Sequence, residues 1–545
     1  MHPVSNLFDE LGGKLTFSPP PRPERHLARY FVPDLALCLA VVTLFYCLIA
    51  FNAPQQLFRD SDTGWHIRTG ETILNTLTLP RTDPYSFSRA GRPWFAWEWG
   101  SDALMGAANK VAGLGGVVWL FVLAIAAVTW QWFRLNWSVG GNFLIACVLA
   151  APMLSTTNLH WLARPHVFGW IFLLTLVIAF ETERARFTVK HGVVIAIATA
   201  VWANLHASFF LVPLIALIYA GGHLVRPLLW NLDREMEWKT ARWFGFAALA
   251  GLGGSLINPY GLGLHAHLIA YLSDSDLLDR VGEFQSFNFH VAGSGQILIM
   301  LSVSAAGGVL ALTQKKVGHA LLALVLIGAA LRSARGLPLA ALTLLPIANG
   351  AITDALRRAR DLRPALRRGL RSFLAYSDRL RLLDARHSGL AIAPVFAVLA
   401  FAWLQVPLIA SHTGFSTTEF PVYAAGELTL LPPGIRLLAP DKYGGYLIYR
   451  FAGTRKVFFD GRSDFYGSGF MKQYIRLVEV RPGWQELAAG WEFTHALLPV
   501  DYSLVPALEQ TGWKVLFRDE TAVLLQAPGQ IGPNQTEPRP SGSGH

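Results

Sequence analysis

Long apolar runs recur through most of this chain, and few folds can bury so many of them. Between Phe31 and Ser411 they follow one another, separated by polar segments of varying length. A membrane-spanning helix needs about twenty mostly apolar residues, fewer where neighbours bury it or the bilayer thins. That criterion predicts roughly eleven spans, over 32–51, 112–133, 142–157, 166–180, 191–205, 208–224, 243–257, 296–313, 318–333, 337–352 and 389–411. With 52% hydrophobic and 15% charged residues among 545, a string of soluble domains would expose too much apolar surface. Disordered, collagen-like and coiled-coil classes fail on the same numbers. Cys38, Cys47 and Cys147 all fall inside apolar runs, with neither a disulfide framework nor a metal-thiolate spacing.

Basic residues near span ends set the orientation. They collect in the N-terminal arm (Lys14, Arg22, Arg25, Arg29), at Arg184, Arg186 and Lys190, at Arg226, Arg234, Lys239 and Arg242, and at Lys315 and Lys316. The segment 353–388 is the richest, from Arg357 to Arg386. An odd number of spans puts all of these on one side, which is then the cytoplasm. The loops at 52–111 and 258–295 and the C-terminal region are expected outside. The net charge of +10 is then a topology signal with attraction to anionic headgroups of the lipid bilayer. Nucleic acid gets no support from it. The polar, proline-bearing arm lacks a small-residue cleavage site, so the first span reads as an anchor rather than a signal peptide.

After Ser411 the pattern changes. Strands are expected at Ile435–Ala439, Tyr446–Arg450, Lys456–Phe459, His495–Pro499, Lys514–Phe517 and Ala522–Leu525, with helices near 469–480 and 502–511. The tail from Ala527 is rich in Pro, Gly, Asn and Ser, has nothing to bury, and reads as disordered; it carries the sequon Asn534-Gln535-Thr536. The expected fold class is a multi-pass α-helical membrane protein with a small C-terminal extracytoplasmic α/β domain. Its parts are an arm at 1–31, a transmembrane domain at 32–411, the α/β domain at 412–526 and the tail at 527–545.

The first outer loop carries the densest chemistry. It opens with Phe58-Arg59-Asp60-Ser61-Asp62-Thr63-Gly64-Trp65-His66. In an extended segment residues i and i+2 project to the same side, so Asp60 and Asp62 are expected to meet one site. One carboxylate there would take a proton from a nucleophile, while the other would bind a cation or hold a hydroxyl. An isolated Asp-x-Asp is more often a pair of solvated loop acids. Here the loop continues through Pro80, Asp83 and Pro84 to Trp94, Trp97-Glu98-Trp99 and Asp102, which is long for a plain connection. Amphipathic helices lying along the interface are expected at 64–75 and 96–110. The turns at Asp441–Tyr446 and Phe459–Asp464 carry large polar side chains, yet turn chemistry explains them as well as function does.

An acidic pair immediately after the first span, on a loop of interfacial helices, resembles the GT-C glycosyltransferases. That group includes oligosaccharyltransferase catalytic subunits, protein O-mannosyltransferases and the bacterial enzyme that adds aminoarabinose to lipid A. The resemblance covers most of the chain in architecture, but only the stretch Asp60 to Asp102 in motif. It implies a GT-C-like fold in a bacterial inner membrane and transfer of a sugar from a polyprenyl-phosphate donor. Asp60 matches the first acid and Asp62 the second, as catalytic base or as ligands of a divalent cation (Mg or Mn). Phosphate leaves readily and needs cationic stabilisation more than a general acid, so arginines at outer span ends, Arg164 and Arg335, are the expected phosphate ligands. Arg59, His66, His166, His206 and Glu283 complete the expected substrate-binding set, with Glu283 an open second-carboxylate candidate. The acceptor, whether lipid, glycan or protein, leaves no signature. The rival readings are a transporter or flippase-like protein for a lipid-linked substrate, and a non-catalytic envelope assembly subunit.

Overall fold

The computed structural model describes residues 27–182 and 188–529. Most of the N-terminal arm, Arg184 and Arg186, and the tail from Gln530 with its sequon lie outside the described residues. Helix α1 (Leu35–Leu48) starts at Asp34, whose carboxylate accepts the Leu37 N–H at 2.8 Å and pairs with Arg134 at 3.3 Å, satisfying one orphan donor of the first turn. The first loop contains α2 (Asp62–Thr76) and the start of α3 (Trp99–Ser138). Helix α3 breaks at Ala112 and Gly113, and Gly113 takes a φ of 58° that favours glycine. The break separates a stretch lying with the loop from the apolar stretch beyond it.

There follow α4 (Phe143–Asn158), α5 (His166–Thr182), α6 (Val189–Leu205), α7 (Leu211–Leu229), α8 (Arg234–Ser255) and α9 (Leu262–Ser273). Then come α10 (Ser294–Thr313), α11 (Val317–Arg332), α12 (Gly336–Arg358), α13 (Pro364–Asp384) and α14 (Ala393–Leu404). Among the described residues, Trp99–Ser138, Ala207–Leu229, Ser294–Thr313 and Gly336–Arg358 are long and apolar enough to cross a bilayer. Shorter apolar helices, α1, α4, α5, α6, α11 and α14, fall on further expected spans.

Val42, Val148, Ile197, Leu249, Val309 and Leu324 are each more than half exposed. A belt of such residues on apolar helices is what lipid contact requires, since water would penalise it. The chain is an integral membrane protein. Helix α12 runs through the middle of the helical layer, buried at every position from Gly336 to Ala351 except Leu339. Its Asn349 side chain donates to Asn136 Oδ1 at 2.8 Å and to the Asn142 carbonyl at 3.0 Å, so this polar group in the core has its partners.

The C-terminal region holds a four-stranded sheet in the order β1-β2-β4-β3, formed by β1 (Leu437–Leu438), β2 (His495–Pro499), β3 (Lys514–Arg518) and β4 (Ala522–Gln526). Strand β1 runs parallel to β2, and β4 lies antiparallel between β2 and β3. Helices α15 (Asp441–Arg450), α16 (Ser463–Val478) and α17 (Leu504–Gln510) accompany it.

Three sequence expectations fail here. Tyr446–Arg450 belongs to α15 rather than to a strand, and Asp441–Tyr446 is the opening of that helix rather than a turn. Lys456–Phe459 forms no strand of the sheet; Val457 instead makes a parallel bridge to Ser86 of the first loop. The reason is the same in each case. Trp65, Tyr85 and Trp94 of the first loop share one buried core with Tyr443, Tyr446, Leu447, Val457 and Leu497, so the segment finds its partners in the loop and not in its own sheet.

Candidate active site

The chain does not run extended through the acidic pair. Ser61 is helical (φ −65°, ψ −23°), and Asp60 Oδ1 accepts the Asp62 N–H at 2.9 Å, which makes Asp60-Ser61-Asp62 the turn that opens α2. The alternation expected of a strand is therefore absent. Both carboxylates still reach a common partner because Arg164 comes to them. Thr63 Oγ1 donates to the Ala163 carbonyl at 3.0 Å and the Ala163 N–H donates to the Leu57 carbonyl at 2.9 Å, tying the turn before α5 to the acidic turn.

The Arg164 guanidinium then bridges three acids. Nη1 lies 2.6 Å from Asp60 Oδ2 and 3.3 Å from Glu283 Oε1, and Nη2 lies 2.9 Å from Asp62 Oδ2. Arg335, at the start of α12, grips the other Glu283 oxygen, with Nε at 2.5 Å and Nη2 alongside. Five residues expected from sequence, Asp60, Asp62, Arg164, Glu283 and Arg335, thus form one continuous ion-pair chain. Three carboxylates face two guanidiniums, so the cluster is short of one positive charge. Burial pushes Asp62 up to about 7, against the pull of Arg164 and with the push of Asp60. Glu283 goes the other way: although burial opposes its charge, Arg335 and Arg164 hold it well below the usual carboxylate range.

The remaining expected residues divide. Arg59 turns away from the cluster, donating to the carbonyls of Asn158 (3.1 Å) and Leu159 (3.0 Å) at the end of α4 and lying over the Phe51 ring; free carbonyls at a helix C-terminus attract a cation. His66 is wholly buried, with Nδ1 2.5 Å from Asp102 Oδ1. His206 Nδ1 faces Ser208 Oγ at 2.7 Å, and His166 Nε2 meets the His160 carbonyl at 2.8 Å. The rings of His166 and His206 lie 6.4 Å apart. His66 and His206 flank Glu98, which no sequence assignment included. An acid between Trp97 and Trp99, where an interfacial helix begins, was the available signal.

The C-terminal region closes the site. Arg462, with its side chain 1% exposed, pairs with Asp460 (2.7 Å) and Asp83 (2.8 Å) and stacks over Trp94. Gly461 lies directly against Asp62, and any Cβ there would collide with the Asp62 carboxylate. His267 of α9 pairs with Asp464 at 3.0 Å, and Tyr271 OH meets Ser463 Oγ at 3.1 Å. A cleft of about 490 Å3, lined by Arg280, Asp441, Gly461, Ser463, Tyr474 and Tyr502 among others, opens beside this seam. The sequence showed Asp460-Gly461-Arg462 only as a turn, because its partners lie hundreds of residues away.

The oxygens of Asp60, Asp62 and Glu283 are the hard donors that Mg or Mn takes. As arranged, they converge on a guanidinium. Among the described residues no group of three or more His, Cys, Asp or Glu side chains is placed to hold a metal ion.

No family model matches this sequence, and no curated protein matches it either. Solved structures do match. The oligosaccharyltransferase of Archaeoglobus fulgidus in its apo form aligns at 12% identity and a TM-score of 0.50, over 86% of this chain and 69% of that one. The same enzyme in complex with Zn and sulfate aligns at 12% identity and 0.50, over 86% and 68%. ArnT from Cupriavidus metallidurans, bound to undecaprenyl phosphate, aligns at 15% identity over 92% and 98%, but with a TM-score of 0.39, which supports nothing about this chain. The likeness to the first two is one of fold, and it is the fold that the first-loop resemblance to GT-C glycosyltransferases implied.

Proposed function

We propose that this protein is a membrane glycosyltransferase of the GT-C kind, moving a sugar from a polyprenyl-phosphate donor to an acceptor at the extracytoplasmic face of a bacterial inner membrane. The observation that carries this reading is the Asp60–Arg164–Asp62–Glu283–Arg335 chain, gathered on one face of an oligosaccharyltransferase-like fold. A transfer of this kind needs a cationic place for the leaving phosphate and a group that takes the acceptor's proton. Arg164 and Arg335 supply the first. Attack from the side opposite the phosphate inverts the anomeric centre and needs only one base.

Asp60 and Asp62 serve either as that base or as holders of a divalent cation. That the oligosaccharyltransferase of similar fold was solved in complex with Zn and sulfate supports a cation and an anion at this site. A cation held by Asp60 and Asp62 would neutralise the phosphate when bound. Arg164 then keeps the two carboxylates aimed at one point before the donor arrives. The cleft beside Gly461 is the natural approach for an acceptor.

The test uses purified protein in lipid nanodiscs with a panel of polyprenyl-phosphate sugars. Release of the lipid phosphate is followed for the wild type and Asp60→Asn, with and without Mg or Mn. We expect turnover in the wild type and a loss of about 100-fold or more in the variant. No wild-type turnover with any donor, with donor binding unchanged in the variant, would favour a transporter or an assembly subunit instead.

A further inference from the structure

Glu98 sits 8% exposed at the start of α3, ahead of the first-loop cluster. Among the described contacts its carboxylate has no hydrogen bond and no arginine or lysine partner. Its neighbours are two imidazoles just beyond hydrogen-bond reach: His66 Nε2 lies 3.8 Å from Oε2, and His206 Nε2 lies 3.6 Å from Oε1.

The two imidazoles are not equivalent. The Ser208 backbone N–H donates to His206 Nδ1 at 3.2 Å, so the proton of a neutral His206 must sit on Nε2, facing Glu98. His66 is the reverse. Its Nδ1 lies against the Asp102 carboxylate; while that carboxylate is ionised it can only accept, Nδ1 carries the proton and Nε2 presents a lone pair, although burial and the neighbouring Glu98 push Asp102 well up from the ordinary carboxylate range. That lone pair is buried and has no partner. Burial holds both imidazoles well below the ordinary histidine range, with nearby Arg164 adding to the effect, so both remain neutral. One imidazole offers a proton to a Glu98 carboxylate, while the other waits for a proton that Glu98 does not yet carry. The orphaned Nε2 gains its missing hydrogen bond only when Glu98 becomes protonated.

Asp60 and Asp62 are placed differently. Each is already engaged by Arg164, and a carboxylate that must leave a guanidinium to accept a proton is a weaker base than one facing a vacant acceptor.

We propose that Glu98 takes the acceptor's proton, with His66, Asp102 and His206 as its positioning residues, and that, of the two roles given above, Asp60 and Asp62 keep the holding one, on Arg164 or a cation, and are not the base. This rests on the glycosyltransferase reading above. In the transfer, the acceptor oxygen forms its bond to the anomeric carbon as the bond from that carbon to the phosphate oxygen breaks. The electron pair leaves on the polyprenyl phosphate. The acceptor's proton passes to Glu98, and the new O–H donates to His66 Nε2.

Burial pushes Glu98 up to about 8, opposed by Arg164 and Arg335 and reinforced by Asp464 and Asp62. The groups facing it are therefore His66 and Asp62 of α2, Asp102 of α3, Arg164, His206, Arg335 and Asp464. A base must be ionised to act, so turnover should rise with pH through about 8 and level off above it.

The experiment measures lipid-phosphate release in nanodiscs, with water as acceptor and the donor on which the wild type turns over. Glu98→Gln should lower kcat about 100-fold or more, leave KM for the donor within about threefold, and abolish the rise with pH. Glu98→Ala with added formate should regain activity in proportion to formate, which a purely structural role would not produce. His66→Gln should lower kcat while retaining donor binding. Wild-type turnover matched within about twofold by Glu98→Gln, or an unchanged pH profile, overturns the assignment of the base and leaves the glycosyltransferase reading standing. A wild type that turns over no donor removes the reading and this proposal together.

Discussion

Arg164 shows how much a single side chain decides. Its planar fork reaches Asp60, Asp62 and Glu283 at once, a geometry that a lysine point charge cannot reproduce. Arg164→Lys should fold and keep its charge, yet lose at least one charge-assisted hydrogen bond, each contributing about 1.5–3 kcal/mol. We expect release of lipid phosphate to fall about tenfold or more, read by the nanodisc assay, while the protein elutes unchanged on size exclusion. At this scale the sequence was informative about type and silent about direction. Asp60 and Arg59 are neighbours with equal claims in the sequence, yet one enters the cluster and the other caps α4. Nothing local distinguishes them. Asp60 is drawn in because its turn is tied through Thr63 to Ala163, and Arg59 is drawn out because α4 ends in carbonyls that need a donor.

At the scale of elements, α2 and α15 meet through glycines. A Cβ on Gly64 would run into the Gly445 carbonyl, and one on Gly445 into the Ser61 carbonyl, so the two helix backbones touch where Asp62 begins. Gly445→Ala must push them apart, and overpacking of this kind costs about 1–3 kcal/mol. Its Tm should drop by several degrees, and lipid-phosphate release should drop with it, because the displaced element carries Asp62. The same contact explains a misreading. Tyr446-Leu447-Ile448-Tyr449 has the aromatic and β-branched character of a strand, but the preceding Gly-Gly pair admits a helix against α2, and tertiary burial outweighs a propensity this weak. Where no such partner intervenes, as in β2, β4, α16 and α17, the local pattern and the structure agree.

At the scale of the molecule, the C-terminal segment is held to the first loop by the buried Asp83–Arg462–Asp460 group. Removing Arg462 strands two buried carboxylates, a loss of about 3–5 kcal/mol for a broken buried pair. Arg462→Ala should therefore loosen the docking without unfolding the helical layer. Limited proteolysis should cut it between Ser411 and Phe420 faster than the wild type, while the membrane-embedded part stays intact on the gel. Equal cutting rates would mean that the apolar core shared by Trp65, Tyr85, Tyr443 and Tyr446 holds the domain without help.

The sequence by itself determined that this chain lives in a membrane, where most of its apolar helices run, and which residue types gather on its loops, because hydropathy and charge asymmetry are local quantities summed along the chain. It also marked Asp60, Asp62, Arg164, Glu283 and Arg335, since charged residues beside apolar spans are costly and persist where they have partners. Only the tertiary structure decided that these five are one cluster, that Gly461 of a distant turn covers Asp62, and that His66 and His206 face Glu98. Those relations depend on contacts between segments one hundred to four hundred residues apart, and such contacts are set by how helices pack and not by any periodicity along the chain.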